Sequence, residues 1–80
     1  MNRMTVYTNN LISLDGRCVG RIDADSYQTA TGRRGVTTLF TGKPGTYDQP
    51  HQISAALYIG GPSDWAINPE FVEEVARIVA

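Results

Sequence analysis

The first quarter of the chain predicts short strands joined by tight turns. Residues 3–8 alternate between polar and apolar side chains, which is the period of a strand with one buried face. A short apolar run follows at Leu11–Leu14, and residues 17–23 return as its partner strand. Between them stand Asp15 and Gly16, one of the strongest two-residue hairpin signals, because both residue types tolerate positive φ. We therefore expect strands here rather than a helix.

Two runs rich in threonine and aromatic residues follow, at 26–31 and 36–41. Branching at Cβ restricts the first side-chain torsion and favours a pleated strand over a helix, so we interpret both runs as strands. The segment Gly32–Gly35 between them has a glycine at each end and predicts the loop of a hairpin. A helix over 24–31 is the alternative, which its serine and threonine residues disfavour.

The most apolar stretch of the chain, Gln52–Ile59, predicts the central strand of the sheet. Nearly every position in it is apolar, and Gly60 and Gly61 close it. Residues 42–50 in front of it contain several prolines and glycines and predict a loop. A strand that is apolar on both sides is expected to lie in the interior of the protein, with neighbours on each face.

The last segment, 69–79, has the pattern of an amphipathic helix. Asn68 is a favourable N-cap, and the proline after it fits the first helical position. Phe71, Val75 and Ile78 recur at intervals of four and three residues, so they share one face of the helix. We expect this face to pack against the strand predicted just before it. The glutamates near the start of the segment suit the positive end of the helix dipole.

These elements predict a fold of class α+β, in which an antiparallel sheet of about four to six short strands packs one face against a single C-terminal helix. The chain has 80 residues, a length that predicts one domain over 1–80, strand-rich over 3–60 and helical over 69–79. One short helix cannot cover such a sheet fully. We therefore expect either short, coiled strands or a homodimer, in which a second copy covers the remainder.

The composition indicates a folded protein and excludes several function classes. Hydrophobic residues make up 41% of the chain and charged residues 19%, which is typical of a globular domain. The net charge of -1 at pH 7 argues against a general nucleic-acid coat or a polybasic membrane binder. The longest apolar stretch is far shorter than the roughly 20 residues of a spanning helix, and the polar, interrupted stretch after residues 1–5 leads us to expect no secretion signal. We therefore expect a cytoplasmic protein that does not bind membranes.

No constellation of residues predicts catalysis or a cofactor. One cysteine and one histidine are too few for an internal disulfide or a zinc site. Lys43 follows a glycine, but Gly35 lies too far upstream and Pro44 removes a backbone N–H, so this is not a phosphate-binding P-loop. His51 follows Asp48 by three residues, but a hydrolase also needs a nucleophile and oxyanion donors. We predict a non-enzymatic protein without catalytic, cofactor-binding or metal-binding residues.

Charge is divided unevenly along the chain. Residues 1–43 hold six basic and three acidic side chains, whereas residues 44–80 hold one basic and five acidic side chains. Three of the acidic residues lie on the polar side of the predicted helix: Glu70, Glu73 and Glu74. Such a face is usually only solvated, but it can also meet a basic surface of a partner protein. We predict these three glutamates as partner-binding residues.

A second candidate interface lies in the arginine-rich part of the chain. Arg33 and Arg34 are predicted at the tip of a hairpin, where guanidinium groups can clamp phosphates or carboxylates. A basic hairpin of this kind can also enter a DNA groove. Tyr47 adds amphipathic aromatic area of the type enriched at protein interfaces. These three residues are the secondary candidates, and a small nucleic-acid-binding regulator is the alternative function.

As a whole, the chain resembles the small anti-CRISPR proteins of phages and mobile elements, nearest to the inhibitors of multi-subunit type I complexes. The resemblance lies in its general character, compact and strand-rich, with a closing helix that begins Asn68-Pro69-Glu70-Phe71-Val72-Glu73-Glu74-Val75. It implies a stoichiometric inhibitor in a bacterial host cell, which binds a Cas surveillance complex and blocks target-DNA binding or nuclease recruitment. Anti-CRISPR proteins share no motif, so no functional residue is transferred. A phage structural or assembly component is a further alternative, and we expect no direct nucleic-acid binding.

Overall fold

The structure, a computed structural model, describes residues 2–23, 27–29, 32–34, 36–40, 49–61 and 63–80. Within these ranges the chain forms short strands followed by one helix. In chain order the elements are β1 (Met4–Val6), β2 (Leu11–Leu14), β3 (Arg17–Ile22), β4 (Tyr27–Thr29), β5 (Gly32–Arg34), β6 (Val36–Leu39), β7 (Gln49–Gln52), β8 (Tyr58–Ile59), β9 (Ala66–Ile67) and α1 (Pro69–Val79). All strand pairings between these elements are antiparallel, which confirms the predicted α+β class.

The first three strands form as the sequence predicts. Asp15 and Gly16 take φ values of 53° and 86°, and positive φ at both central positions is what a type I′ two-residue hairpin turn requires. β2 pairs with β3 on one side and with β1 on the other, where Thr5 faces Ser13. The register between β2 and β3 shifts at Ser13, as it does at a β-bulge. Local sequence signals, the alternation and the turn residues, were sufficient to define this part of the fold.

The strands divide into two sheets rather than the single sheet predicted. The larger has five strands in the order β1-β2-β3-β6-β7, and the smaller has four in the order β4-β5-β8-β9. The hairpin loop predicted at Gly32–Gly35 is wrong, because Gly32–Arg34 forms β5, which pairs with β4 on one side and β8 on the other. The two runs expected to pair with each other therefore lie in different sheets. Residues 27–29 form a strand, so the helix alternative is wrong for that part of the run.

The apolar run predicted as the central strand is not a continuous strand. Residues 53–57, between β7 and β8, are irregular, and we refer to them as the buried segment. Its buried side chains are Ile53, Ala55, Ala56 and Leu57. Consecutive buried side chains indicate a segment that is enclosed on more than one side. That pattern does not by itself distinguish a strand from an irregular segment, since both can be buried all round.

The helix begins and ends where the sequence predicts. Asn68 has extended backbone angles, φ -72° and ψ 125°, and its side chain accepts a hydrogen bond from the Glu70 backbone N–H, the geometry of an N-cap. Phe71 and Val75 are 2% and 0% exposed, as expected. Ile78 is 37% exposed, so its predicted burial is wrong. The partly buried Val72, Ala76 and Val79 also pack against the core. The packed face of α1 is therefore turned toward these residues, and Ile78 lies at its margin at about 100° per residue.

The hydrophobic core joins the larger sheet, the buried segment and the helix. Its buried side chains are Ile12, Leu14, Val19, Ile22, Leu39, Ile53, Ala55, Leu57, Phe71 and Val75. Burial of apolar surface is the main favourable term in folding, and a chain of this size has little of it to spare. The core therefore depends on α1 being held in place against the buried segment.

Candidate functional site

The three glutamates predicted as partner-binding residues fall into two groups. Glu70 and Glu73 are exposed, whereas Glu74 is half-buried. Successive residues of a helix point about 100° apart, so Glu73 and Glu74 face different directions although they are adjacent in the chain. Glu70 and Glu73 are three residues apart, a spacing that makes side chains neighbours on the helix surface. The exposed acidic part of α1 thus consists of these two residues.

Glu74 ties α1 to the buried segment. Its Oε1 accepts a hydrogen bond from the backbone N–H of Ser54 at 3.1 Å. Its Oε2 accepts hydrogen bonds from Ser54 Oγ at 2.8 Å and from the backbone N–H of Ala55 at 3.3 Å. Residues 53–57 are not part of a strand, and backbone polar groups near a core need partners. The Glu74 carboxylate supplies those partners, so its acceptors are already used within the fold.

The two arginines of the secondary candidate site are held within the smaller sheet. The Arg34 guanidinium donates a hydrogen bond to the Ser54 carbonyl, and the Arg33 carbonyl accepts one from the Leu57 N–H at 2.6 Å. Both arginine side chains are half-buried. Their predicted place at a hairpin tip is wrong, because β5 is an inner strand of its sheet. The third secondary candidate, Tyr47, lies outside the described residues.

A further basic side chain, Arg21 in β3, is also engaged within the fold. Its Nε lies 3.6 Å from a carboxylate oxygen of Asp23, and its guanidinium carbon lies 5.9 Å from the centre of the Phe40 ring. Asp23 in turn accepts a hydrogen bond from Thr38 Oγ1 at 3.0 Å. These contacts offset the positive charge of Arg21. Arg21 and Arg34 are therefore less available to a phosphate backbone than free guanidinium groups would be.

The contacts of Glu74 also determine its protonation. Burial raises the pKa of the Glu74 carboxyl, but the hydrogen bonds from Ser54 and Ala55 and the positive charge of Arg77 outweigh burial, and the pKa is lower than its ordinary value. The folded protein therefore favours the charged carboxylate more than the unfolded chain does. The resulting stabilisation is fully present above the ordinary carboxyl pKa and is lost as the pH falls through the pKa in the folded state.

We expect acid to reduce the difference in stability between the wild-type protein and a Glu74→Gln variant. At neutral pH the substitution should lower the free energy of unfolding by about 1 kcal/mol, because a neutral amide oxygen accepts hydrogen bonds less strongly than a carboxylate. That difference should shrink as the pH falls through the Glu74 pKa. Urea unfolding over a series of pH values measures this difference in stability. Ser54→Ala removes the hydroxyl that donates to Glu74, so it should also make the stability less dependent on pH. Parallel pH profiles for wild type and Glu74→Gln would contradict this role for Glu74.

A cavity of about 400 Å³ opens at the start of α1. Among the described residues it is lined by Asn2, Ile67, Pro69, Val72 and Glu73, and we refer to these residues as the helix groove. Its wall is mainly apolar, while Glu73 places a carboxylate on it. Concave sites with an apolar wall and a few polar groups are typical of binding sites. The helix groove can hold an apolar side chain and, beside it, a basic group.

The sequence carries only a partial signal for the helix groove. Glu73 belongs to the predicted acidic face, and the partly buried Val72 widens the apolar stripe of the helix. Asn2 and Ile67 come from outside the helix, and only the folded chain brings them next to Val72. Periodicity within one element cannot reveal such a site, since its residues come from distant parts of the sequence.

Two further observations concern the described part of the chain. It contains no group of three or more His, Cys, Asp and Glu side chains that could hold a metal ion. Its helix is too short to cross a membrane. In the comparisons with known proteins, no family model, no curated protein and no solved structure matches the chain. Its function is therefore inferred from the geometry of the described side chains.

Proposed function

We propose that the protein is a non-enzymatic, protein-binding inhibitor and that it contacts its partner through the helix groove and the adjoining exposed carboxylates. The observation that carries this proposal is the position of Glu73, which is exposed and lines a mainly apolar cavity. Interfaces commonly combine an apolar anchor in a pocket with charged groups at its border. The partner expected from this arrangement offers an apolar side chain next to lysine or arginine.

The charge of α1 favours a basic protein surface over a nucleic acid. Glu70 and Glu73 are exposed on the same side of the helix, and the phosphates of DNA or RNA would be repelled there. A protein groove lined with lysine or arginine gains attraction at the same place. The arginines proposed for the alternative function do not offset this repulsion of phosphates, since the side chains of Arg34 and Arg21 are engaged within the fold. A nucleic-acid-binding regulator is therefore the weaker interpretation.

The resemblance to anti-CRISPR proteins names the class of partner to be tested first. A type I Cas surveillance complex binds DNA and must therefore present basic grooves, which supply the complementary charge. Occupation of such a groove by the acidic side of α1 would block target DNA from binding. Occupation of a docking surface for the nuclease would prevent nuclease recruitment instead. The helix groove fits either mechanism, because both require a stable contact with a protein surface and no chemical step.

We expect Glu73→Lys to weaken binding to a purified type I surveillance complex by about tenfold or more, since attraction is replaced by repulsion of like charges. Glu73 is preferred to Glu70 for this test, because Glu70 lies in the first helical turn and also stabilises the helix through its interaction with the helix dipole. Asp64→Lys is the matched control, because it changes the net charge equally at an exposed residue outside the helix groove. Both variants should keep the wild-type stability within about 0.5 kcal/mol.

One titration series separates the candidate functions. Wild type, Glu73→Lys and Asp64→Lys are titrated against the surveillance complex and against duplex DNA at two salt concentrations. The inhibitor proposal requires binding to the complex that Glu73→Lys weakens selectively. Tight binding to free DNA that falls steeply with salt would instead support the nucleic-acid-binding regulator. Binding to the complex that neither variant weakens would exclude the helix groove as the interface.

A further inference from the structure

β1 is an edge strand of the larger sheet, and its hydrogen bonds to β2 define which of its backbone groups face outward. The Arg3 carbonyl accepts from the Asp15 N–H at 2.7 Å, and the Tyr7 N–H donates to the Leu11 carbonyl at 2.9 Å. Thr5, midway between them, faces Ser13 of β2. Backbone groups of consecutive residues point to opposite sides of a strand. The N–H and C=O groups of the two intervening residues, Met4 and Val6, therefore point away from β2.

We propose that the protein forms a homodimer in which β1 pairs antiparallel with β1 of a second copy, on a two-fold axis through Thr5. In this register Met4 lies opposite Val6 of the second copy, and each such pair exchanges two backbone hydrogen bonds, as paired residues with facing polar groups do. The two larger sheets then form one continuous sheet. An edge strand with unused backbone groups is a ready template for such pairing, and a two-fold axis closes the assembly.

The side chains around β1 are self-complementary in this register. Arg3, Thr5 and Tyr7 alternate with the half-buried Met4 and Val6, and all three are exposed. Across the axis, Arg3 of one copy lies opposite Tyr7 of the other, where a guanidinium can stack on an aromatic ring. Thr5 lies opposite Thr5 of the second copy, and paired threonines are favourable cross-strand neighbours. Tyr7, which is 52% exposed, has apolar ring surface to bury in this contact.

The two edge strands of the larger sheet differ in how readily they can pair with a second copy. β7, at the opposite edge, contains Pro50, which has no N–H to donate, and proline at an edge discourages further pairing. β1 contains no proline, and its apolar residues, Met4 and Val6, already pack against the core. Pairing at β1 would extend that apolar row across the axis. The second copy is therefore placed at β1 and not at β7, and the dimer does not depend on the function proposed for the helix groove.

Charge at Thr5 tests the dimer directly, because each copy places this residue on the axis. Sedimentation of the wild-type protein from micromolar to millimolar concentration should show a monomer–dimer equilibrium. Thr5→Lys and Thr5→Glu should each raise the dissociation constant by about tenfold or more, since like charges then face each other across the axis. An equimolar mixture of the two variants should form a heterodimer, because opposite charges now meet. Thr8→Lys, an exposed change of equal charge outside β1, should behave like wild type.

Three results would overturn the dimer. The first is a wild-type protein that stays monomeric over the whole concentration range. The second is a dimer that Thr5→Lys and Thr5→Glu leave intact, since the axis would then lie elsewhere. The third is a mixture of the two variants that stays monomeric, which would mean that each change acts by disturbing the fold and not through the opposing charge. The melting temperature of each variant, measured beside its mass, identifies a misfolded variant before its association is interpreted.

Discussion

Truncation of Phe71 to alanine is expected to lower the free energy of unfolding by about 3–5 kcal/mol, the largest effect that we expect of any single truncation. Phe71 is 2% exposed and belongs to the core cluster that joins α1 to the larger sheet and the buried segment. Removing its ring deletes apolar burial and leaves a cavity that the neighbours fill only in part. Small domains have about 5–15 kcal/mol of stability in total, so the variant should be close to unfolded at room temperature. Thermal and urea unfolding measure this loss.

Ile78→Ala is the control for the packing of the helix. Ile78 is 37% exposed, so its truncation removes less buried surface than that of Phe71 and should cost only about 1–2 kcal/mol. The contrast between the two variants tests which side of α1 faces the core. Equal losses for Phe71→Ala and Ile78→Ala would mean that Ile78 packs as tightly as Phe71, contrary to the structure.

Substitution of Gly32 by alanine is expected to destabilise the protein by about 2–6 kcal/mol, from backbone strain and overpacking together. Gly32 has a φ of 156°, which side chains other than hydrogen rarely allow. A Cβ at this position would lie far inside the contact distance to the Tyr58 carbonyl oxygen and 2.9 Å from Ala56 Cβ. Relief of this clash requires β5 to move away from β8. That movement would also disturb the hydrogen bond from Arg34 to the buried segment. Urea unfolding and the far-ultraviolet circular dichroism spectrum measure the outcome.

Gly61→Ala is the matched control for Gly32. A Cβ at Gly61 meets no heavy atom within 4 Å, so the substitution should change stability by no more than about 0.5 kcal/mol. A Gly32→Ala protein as stable as Gly61→Ala would contradict the close approach of β5 to β8. It would also reopen the possibility that Arg33 and Arg34 lie at an exposed turn.

The elements that could be predicted from the sequence are those defined by neighbours in the chain. The hairpin at Asp15 and Gly16 follows from positive φ at its two turn residues, and the helix follows from the Asn68 cap and the spacing of its apolar residues. Each signal lies within a few residues of the structure that it specifies. The helical period also identifies Phe71 and Val75 as core residues, because burial of a helix face depends on the spacing of its own side chains.

The elements predicted wrongly depend on distant partners. Gly32–Arg34 is a strand that pairs with β4 along its length and also with the distant β8 at Tyr58, whereas its glycine had suggested a turn. Within the buried segment, Glu74 and Arg34 bind the backbone groups of Ser54 and Ala55 in place of a neighbouring strand. The same contacts remove Glu74 from the exposed acidic face, although its position in the helical pattern gives no sign of this. For the candidate site, sequence could indicate Glu70 and Glu73 but not the cavity beside them.

The three glutamates of α1 have two roles because their contacts differ and not because of their spacing, since Glu70 is a helix neighbour of both Glu73 and Glu74. Glu74 stabilises the fold through Ser54 and Ala55, while Glu70 and Glu73 remain at the surface. A combined reversal of all three would weaken the fold and the partner contact together and could not separate them. Single substitutions are therefore required, with Glu74→Gln testing stability and Glu73→Lys testing binding.

The most direct test of the proposed interface is a hydrogen-exchange comparison of the protein alone and bound to a purified type I surveillance complex. Bound partners slow the exchange of backbone amides that they cover or stabilise. If the helix groove and the acidic side of α1 form the interface, the slowed amides should lie in residues 67–76, while those of β3 should be unchanged. Slowed exchange confined to β3, with residues 67–76 unchanged in the bound state, would contradict the proposed interface.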